Sequence, residues 1–154
     1  MASPILLLVE DSVEDVQLIV SALEKVIPAE LIAVCDSGEK AVDYLLGGEE
    51  RPPLPEGTLP LALPLLILLD LNLPRMGGLE VLQRIRSDPA TSLLPVVVLS
   101  ASVEQRDIQA AMLAGANSYM RKSLDHGRLA EHVRLAARYW LELNIGPPEN
   151  PPKL

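Results

Sequence analysis

The stretch LLILLDLNLPRMGG, residues 65–78, carries five apolar residues in a row that end on a single carboxylate, Asp70. An isolated ionised carboxylate is very costly inside an apolar core. A proline-containing turn and a pair of glycines follow the acid at once. The pattern therefore predicts a buried strand that delivers Asp70 to its exposed C-terminal end.

Other short apolar segments predict further strands. Most of these segments are almost continuously apolar, which is typical of strands covered by helices on both faces of a parallel sheet. The segment SYMRK is more polar, as expected of an edge strand. The predicted strands are residues 4–10, 31–35, 65–70, 96–100 and 118–122.

Amphipathic stretches between these segments predict helices. Asp36 and Ser37 are good N-caps for the second helix, and Glu39 completes a capping box with Asp36. Ser102 is placed to cap the fourth helix. The alternation of strands and helices predicts a doubly wound α/β fold. The predicted helices are residues 13–26, 38–46, 78–87, 103–114 and 124–143.

The length and the charge of the chain limit its possible functions. A chain of 154 residues suits one domain, which we expect to span residues 1–145, followed by a Pro-rich tail at 146–154. The formal net charge of −8 repels phosphates and argues against a nucleic-acid partner. No apolar run is long and uninterrupted enough to predict a membrane span or a signal peptide.

Two local features add expectations about environment and partners. The single cysteine, Cys35, cannot form an intramolecular disulfide, which favours a cytoplasmic location. It lies in the apolar run LIAVC, which predicts a buried and inert thiol. Residues 47–64 are rich in Pro and Gly and predict a surface insertion, with a docking loop as the alternative.

The predicted strand ends bring chemically active residues together. In an open parallel sheet, ligands bind beyond the carboxyl ends of the strands. Clustered carboxylates repel one another unless a cation neutralises them, and an all-oxygen acidic site suits Mg²⁺. A metal beside a carboxylate, a hydroxyl and a lysine favours phosphoryl transfer, with Asp70 as nucleophile. The residues at the strand ends are Glu10, Asp11, Asp70, Ser100 and Lys122.

The motifs at these positions resemble those of the receiver domain of two-component response regulators. The resembling segments, in chain order, are ILLLVEDS, LLDLNLPRMGG, VVVLSAS and GANSYMRKS, and the likeness covers residues 3–142. It implies a flavodoxin-like five-stranded parallel sheet of order 2-1-3-4-5. Three segments resemble those of one subgroup, the stand-alone receivers that partner phytochrome histidine kinases. They are the long loop before the third strand, the segment LDLNLPR and the segment RYWLEL.

The resemblance implies a magnesium site and a phosphoacceptor. Asp70 would accept the phosphoryl group from a sensor histidine kinase, and the subgroup resemblance points to a bacteriophytochrome. Asp11, Asp70 and the backbone carbonyl of Asn72 would bind Mg²⁺ directly, and Glu10 would act through water. Such a protein signals by changing conformation, binding proteins or passing the phosphoryl group on, and is not an enzyme.

The resemblance also implies roles for residues around the phosphoryl group. Ser100 would bind a phosphoryl oxygen, Lys122 would pair with the phosphoryl charge, and Tyr119 would swing inward as a switch. A static, half-buried Tyr119 is the alternative. Asn72 and Ser102 stand where the family tunes hydrolysis of the aspartyl-phosphate.

The chain departs from the family pattern beside its lysine. Ser123 follows Lys122, where the family usually has a proline joined by a cis peptide bond. A non-proline cis bond costs about 2.5–4 kcal/mol. We therefore expect either a cis Lys122–Ser123 bond or a trans bond that aims Lys122 differently. Gly77 and Ser100 are milder departures, the serine replacing the commoner threonine.

Several simpler interpretations remain open at this stage. Glu10 and Asp11 would serve only to cap the following helix, together with Ser12. His126 and His132 are expected on the surface of the last helix. The apolar cluster at its end would be either core or a homodimer interface in the C-terminal half. The cluster consists of Tyr139, Trp140, Leu141 and Leu143.

Other function classes are also open. A phosphorylation-independent receiver-like scaffold is favoured only by Ser123. An aspartyl-nucleophile phosphatase of the haloacid dehalogenase type needs a second acid two residues after the nucleophile, where this chain has Asn72.

Overall fold

A parallel five-stranded sheet of order β2-β1-β3-β4-β5 forms the centre of the protein in a computed structural model that describes residues 4–47 and 63–147. This confirms the predicted fold class. The strands are β1 Leu6–Val9, β2 Ile32–Cys35, β3 Leu66–Asp70, β4 Val96–Ser100 and β5 Ser118–Arg121. Most of the predicted insertion at 47–64 and of the tail at 146–154 lies outside the described residues.

Helices follow the strands and cover both faces of the sheet. They are α1 Val13–Leu23, α2 Gly38–Leu46, α3 Gly78–Ser87, α4 Gln105–Leu113 and α5 His126–Arg138. A 3₁₀ turn precedes β2 at Ala29–Leu31, and a π-helical turn follows α5 at Tyr139–Leu143. Within the described segments, no helix is both long and apolar enough to cross a membrane.

Alternate residues of the central strands enter two separate cores. Leu7 and Leu69 belong to the core beneath α2 and α3. Leu8 and Leu68 belong to the core beneath α1 and α5. Because both faces of β1 and β3 are fully buried, neither strand carries a polar face, which explains the continuous apolar runs in the sequence.

The strand register brings the carboxyl ends to one edge of the sheet. Val9 of β1 pairs with Leu69 of β3, so Glu10 and Asp70 follow at the same level. Asp70 in turn pairs with Leu99 of β4. Ser100 of β4 pairs with Arg121 of β5, so Lys122 comes one residue beyond Ser100.

The predicted cap of α2 was wrong in part. Ser37 is the N-cap, and its hydroxyl accepts a hydrogen bond from the Lys40 N–H at 3.1 Å. Asp36 forms an ion pair with Lys40 instead, at 3.0 Å. Glu39 accepts from the Met76 N–H at 3.3 Å. The capping box fails because Ser37 occupies the cap and Glu39 finds a tertiary partner.

The other helix ends also differ from the sequence prediction. The helix α4 begins at Gln105 with Glu104 as N-cap, so the predicted cap Ser102 was wrong and lies two residues before the observed one. The last helix begins at 126 because Asp125 is its N-cap, its carboxylate accepting from the Arg128 N–H at 3.0 Å. It also widens into the π-helical turn after Arg138, where the Asn144 N–H donates to the Tyr139 carbonyl at 2.7 Å.

The apolar cluster at the end of α5 divides between core and surface. Trp140 and Leu141 pack against the core beneath α1 and α5. Tyr139 and Leu143 are exposed. The rings of Tyr139 and Trp140 meet edge to face, with centroids 5.2 Å apart. The core interpretation therefore holds for Trp140 and Leu141, and a homodimer interface at Tyr139 and Leu143 stays a prediction.

Candidate functional site

The loop after β3 holds Asp70 by a close return of the backbone. The Gly78 N–H donates to the Leu71 carbonyl at 3.0 Å, which brings the start of α3 onto the end of β3. A Cβ at Gly78 would lie only 2.3 Å from the Asp70 carbonyl oxygen, so only glycine fits there. Arg75 has a φ of 63°, which lets the loop turn back over so few residues.

The predicted acid cluster forms at the carboxyl edge of the sheet. One ligand atom each from Glu10, Asp11 and Asp70 lies within 4.8 Å of the others. Glu10 and Asp70 are buried, whereas Asp11 is exposed, so the cluster opens to solvent on the side of Asp11. Three carboxylates offering only oxygen fit a hard divalent cation such as Mg²⁺. Asn72 lies beside them, its N–H donating to Asp70 Oδ1 at 3.2 Å.

Asp11 and Glu10 are not the cap of α1. That position belongs to Ser12, whose hydroxyl accepts from the Asp15 N–H at 3.3 Å. Glu10 Oε1 instead accepts from the Ser12 N–H at 3.2 Å. Ser12 accepts the hydrogen bond at the start of α1, so the carboxylates of Glu10 and Asp11 are not needed as caps. They remain available to the crevice, by which we mean the space around the acid cluster at the carboxyl edge of the sheet.

Lys122 enters the same crevice and contacts three carboxylates. Its Nζ lies 2.5 Å from Glu10 Oε2, 3.0 Å from Asp15 Oδ2 and 3.3 Å from Asp70 Oδ2. The Lys122–Ser123 bond is trans, since the described residues contain no cis peptide. With this trans bond the Lys122 ammonium still reaches Asp70.

Burial and charge act in opposite directions on the ionisable groups of the crevice. Burial lowers the pKa of Lys122, but its contacts with Glu10, Asp70 and Asp15 outweigh this and raise the pKa above its ordinary value. Burial, helped by the charge of Asp70, raises the pKa of Glu10 to about 7 against the opposing contacts with Lys122 and the Ser12 N–H. A further cation among the carboxylates would relieve the repulsion between Glu10 and Asp70.

Ser100 and Tyr119 are connected through Ser102. Ser100 is buried at the end of β4, and its Oγ accepts from the Ser102 N–H at 3.2 Å. The Tyr119 hydroxyl donates to the Ser102 carbonyl at 2.9 Å, and the ring is half-buried. Tyr119 is therefore tied to the loop after β4, so movement of Ser100 and of Tyr119 would be linked.

The side chain of Ser102 is held by hydrogen bonds at the start of α4. Its hydroxyl donates to Asp107 Oδ2 at 2.5 Å and accepts from the Glu104 N–H at 3.2 Å. A cavity of about 180 Å³ lies next to Ser100. It is lined by Leu71, Asn72, Gly77, Leu79, Ser100 and Asp107.

Asp15 and Asp107 also lie near the site, although neither was predicted from the sequence. Each lies in the first turn of a helix that follows a strand of the site. Since such a turn begins at the carboxyl edge of the sheet, an acid there could have been included by the same argument as Asp70. His126 and His132, by contrast, are exposed on α5 as predicted.

Cys35 is buried at the end of β2, as predicted. Burial, with a smaller effect from the charge of Asp36, raises the pKa of its thiol to about 11. The thiol is therefore protonated and unreactive at neutral pH.

Comparison of the sequence with known proteins supports the same family. Residues 6–134 match the response regulator receiver domain. The chain is 38% identical to the response regulator Rcp1 of Synechocystis sp. over 141 residues, which cover 90% of this chain and 89% of Rcp1. It is 36% identical over 146 residues to the probable methanogenesis regulatory protein FilR2 of Methanothrix harundinacea, covering 93% of this chain and 87% of FilR2.

Solved structures are similar over nearly the whole chain. The phosphorylated cyanobacterial phytochrome response regulator RcpA superposes with a TM-score of 0.81 at 35% identity, over 96% of this chain and 100% of RcpA. The Mn²⁺-bound form of Rcp1 superposes with a TM-score of 0.79 at 34% identity, over 93% of this chain and 98% of Rcp1. The chain therefore belongs to the response regulator receiver family, and its relatives include phytochrome response regulators.

Proposed function

We propose that this protein is a single-domain response regulator that accepts a phosphoryl group from a histidine kinase on Asp70. The observation that carries the proposal is the meeting of Asp70 with Glu10, Asp11 and the ammonium of Lys122 at one edge of the sheet. Acids that share a site with one lysine provide both a nucleophile and a place for a divalent cation.

The residues of the crevice divide the work of the transfer. Asp11, Asp70 and the carbonyl of Asn72 would hold Mg²⁺, with Glu10 acting through water, and the cation would neutralise charge on the transferred group. An Asp70 oxygen forms the bond to phosphorus while the bond from phosphorus to the histidine nitrogen of the donor breaks. The electron pair of that bond remains on the imidazole.

The remaining site residues would respond to the phosphoryl group. Lys122 pairs with its charge, and Ser100 gives up its contact with the Ser102 N–H to bond a phosphoryl oxygen. Because Tyr119 is hydrogen-bonded to the Ser102 carbonyl, a shift of this loop would release the tyrosine. We propose this release as the switch that reports phosphorylation.

The decisive experiment is intact-mass spectrometry after incubation with acetyl phosphate and Mg²⁺. We expect the wild type to gain one phosphoryl group, and both Asp70→Asn and an EDTA-treated wild type to gain none. The matched control is Asp36→Asn, which removes an exposed carboxylate outside the crevice and should leave the gain unchanged. Circular dichroism would confirm that each variant is folded.

A different result would favour one of the other function classes. A wild type that binds Mg²⁺ but gains no mass would contradict the phosphoacceptor proposal and leave a phosphorylation-independent scaffold. Repeated turnover of para-nitrophenyl phosphate would indicate an aspartyl-nucleophile phosphatase. We expect no such turnover, because Asn72 cannot act as an acid or a base.

We further propose that the phosphoryl donor is a phytochrome-type histidine kinase. The similarity to RcpA and Rcp1 extends over nearly the whole chain and supports this choice. A kinase of this type, labelled by ATP on its histidine, should transfer the label to the wild type and not to Asp70→Asn within minutes. Faster transfer from a histidine kinase of another class would contradict the proposal.

We also propose a cytoplasmic homodimer that uses the C-terminal half. Tyr139 and Leu143 are exposed apolar side chains on the turn after α5 and could meet the same surface of a second copy. Light scattering should then show a dimer for the wild type and a monomer for Leu143→Ser. Equal masses for a dimeric wild type and this variant would place the interface elsewhere.

The proposed boundaries of the receiver are residues 1–145. The match to the family at residues 6–134 and the turn at Tyr139–Leu143 support them. The corresponding test is limited proteolysis, which should leave a core ending near residue 145. A product shortened into α5 would contradict this boundary.

A further inference from the structure

We propose that Asp15 is a positioning residue for phosphoryl transfer, because its carboxylate holds the ammonium of Lys122 at Asp70. The inference rests on the proposed function and adds one residue of α1 to the same site. Asp15 would not touch the phosphoryl group itself, and it would act through Lys122.

The contact is short and joins distant parts of the chain. Lys122 Nζ lies 3.0 Å from Asp15 Oδ2 and 3.3 Å from Asp70 Oδ2, so one ammonium contacts both acids at the same time. The lysine side chain is only 13% exposed, and that of Asp15 is 34% exposed. Partial burial makes a charge-assisted hydrogen bond stronger than it would be on an open surface.

The helix cap fixes the position of the Asp15 carboxylate. The Asp15 N–H donates to Ser12 Oγ at 3.3 Å, which anchors the first turn of α1 at the edge of the sheet. Lysine has a long stem with several rotatable bonds, so its ammonium samples many positions unless it is held. A carboxylate on an anchored turn reduces those positions to the ones beside Asp70.

Asp15 differs from the other partners of Lys122 in one respect. Glu10 and Asp70 belong to the oxygen cluster that fits a divalent cation, and Asp15 does not belong to it. A cation in that cluster neutralises the charge of Glu10 and Asp70 and repels the ammonium. Asp15 would then remain as the counter-charge that keeps Lys122 in the crevice, ready for the incoming phosphoryl oxygens.

The test compares Asp15→Asn with Glu14→Gln. Both variants remove one negative charge from the first turn of α1. Glu14 is exposed, however, and the ion-pair partners of Lys122 among the described residues are Glu10, Asp15 and Asp70. The rate of phosphorylation by acetyl phosphate with Mg²⁺ is followed by intact mass. We expect Asp15→Asn to be about tenfold slower and Glu14→Gln to stay within about twofold of the wild type. Equal rates for the two variants would overturn the inference.

A double-mutant cycle separates positioning from a purely structural role. In a Lys122→Met background, followed over hours at high acetyl phosphate, Asp15→Asn should cause no further slowing. A further slowing of similar size would mean that Asp15 does not act through Lys122, and this would overturn the inference.

Calorimetric titration with Mg²⁺ tests the remaining explanation. Neither Asp15→Asn nor Glu14→Gln should lower the affinity for Mg²⁺ strongly, since neither residue belongs to the acid cluster. A much larger loss for Asp15→Asn would make it a metal ligand and overturn the positioning role. A wild type that is not phosphorylated at all would instead refute the proposed function.

Discussion

Gly78 lies against the carbonyl oxygen of Asp70, so that a methyl group on the glycine would come within 2.3 Å of that oxygen. The same methyl group would lie 2.7 Å from the Leu71 Cα. Both neighbours are backbone atoms and cannot rotate away. The backbone of Asp70, the candidate phosphoacceptor, therefore packs directly against the first residue of α3.

Gly78→Ala should therefore damage both stability and the site. We expect a loss of about 1–3 kcal/mol in the free energy of unfolding, since the backbone must shift to admit the methyl group. Phosphorylation by acetyl phosphate should slow at the same time, because the shift moves Asp70. Urea unfolding and intact mass measure the two effects.

Gly77→Ala is the matched control for this prediction. A Cβ at Gly77 would lie 3.7 Å from the Leu71 carbonyl oxygen, an ordinary contact, and its φ of −72° suits alanine. Alanine is a poorer N-cap than glycine but restricts the unfolded chain, so the net change should stay within about 0.5 kcal/mol. Equal losses for the two variants would contradict the close approach at Gly78.

Arg86→Ala should destabilise the edge of the sheet opposite the site. The Arg86 guanidinium donates to the Gly115, Ser92 and Leu94 carbonyls at 2.7–2.9 Å and to Asn117 Oδ1 at 2.8 Å. Removing it leaves several half-buried acceptors without their donor. We expect a loss of about 3 kcal/mol in the free energy of unfolding, measured by urea unfolding.

Arg84→Ala provides the comparison for Arg86→Ala. Arg84 belongs to the same helix but forms an exposed ion pair with Glu80 at 3.5 Å. Exposed pairs of this kind contribute about 0.3–0.5 kcal/mol. A loss for Arg84→Ala as large as that for Arg86→Ala would show that the bridging hydrogen bonds do not carry the stability.

The reaction of Cys35 with iodoacetamide should depend steeply on pH. Because the pKa of the thiol is raised to about 11, the thiolate fraction and the rate should rise about tenfold per pH unit between pH 7 and 10. In urea, where the pKa is about 8.5, the rate should be higher and should level off above about pH 9. Mass spectrometry measures both rates.

The same shift makes a prediction for stability. The folded protein holds the Cys35 proton more tightly than the unfolded chain, so unfolding becomes easier as pH rises from about 8.5 towards 11. Cys35→Ala should lose less stability than the wild type over this interval. An identical pH dependence for both proteins would contradict a buried, protonated thiol.

Tyr119 should change its environment when the protein is phosphorylated. The chain has three tyrosines, and Tyr119→Phe identifies the ring resonance of this one in an NMR spectrum. We expect that resonance to shift on addition of acetyl phosphate and Mg²⁺ in the wild type and to stay in place in Asp70→Asn. A resonance that does not move in either protein would indicate a static tyrosine.

The stability of Tyr119→Phe tests the hydrogen bond to the Ser102 carbonyl. Removing the hydroxyl should cost about 0.5–1.5 kcal/mol, because the carbonyl loses one protein donor near the surface. Tyr139→Phe is the comparison, since Tyr139 is exposed and should tolerate the change. A loss that is no larger for Tyr119→Phe would mean that the bond contributes little.

Much of the fold and of the candidate site could be predicted from local pattern. The apolar run before Asp70 indicates a strand buried on both faces, and the position of the acid at its end indicates the functional edge. Glu10, Asp11 and Ser100 were predictable in the same way, from their positions at strand ends. The period of the side chains and the direction of a strand are properties of consecutive residues, so both can be read from the sequence.

The partners of side chains from different elements were decided only by the tertiary structure. Asp15 lies 107 residues before the lysine that it contacts, and Glu39 leaves its predicted capping box for the backbone of Met76. Lys122 reaches Asp70 although its following peptide bond is trans. The sequence by itself determined which residues stand at the ends of the strands. How helices and loops pack onto the sheet decided which charges meet there, because such contacts depend on the relative placement of elements that are distant in the chain.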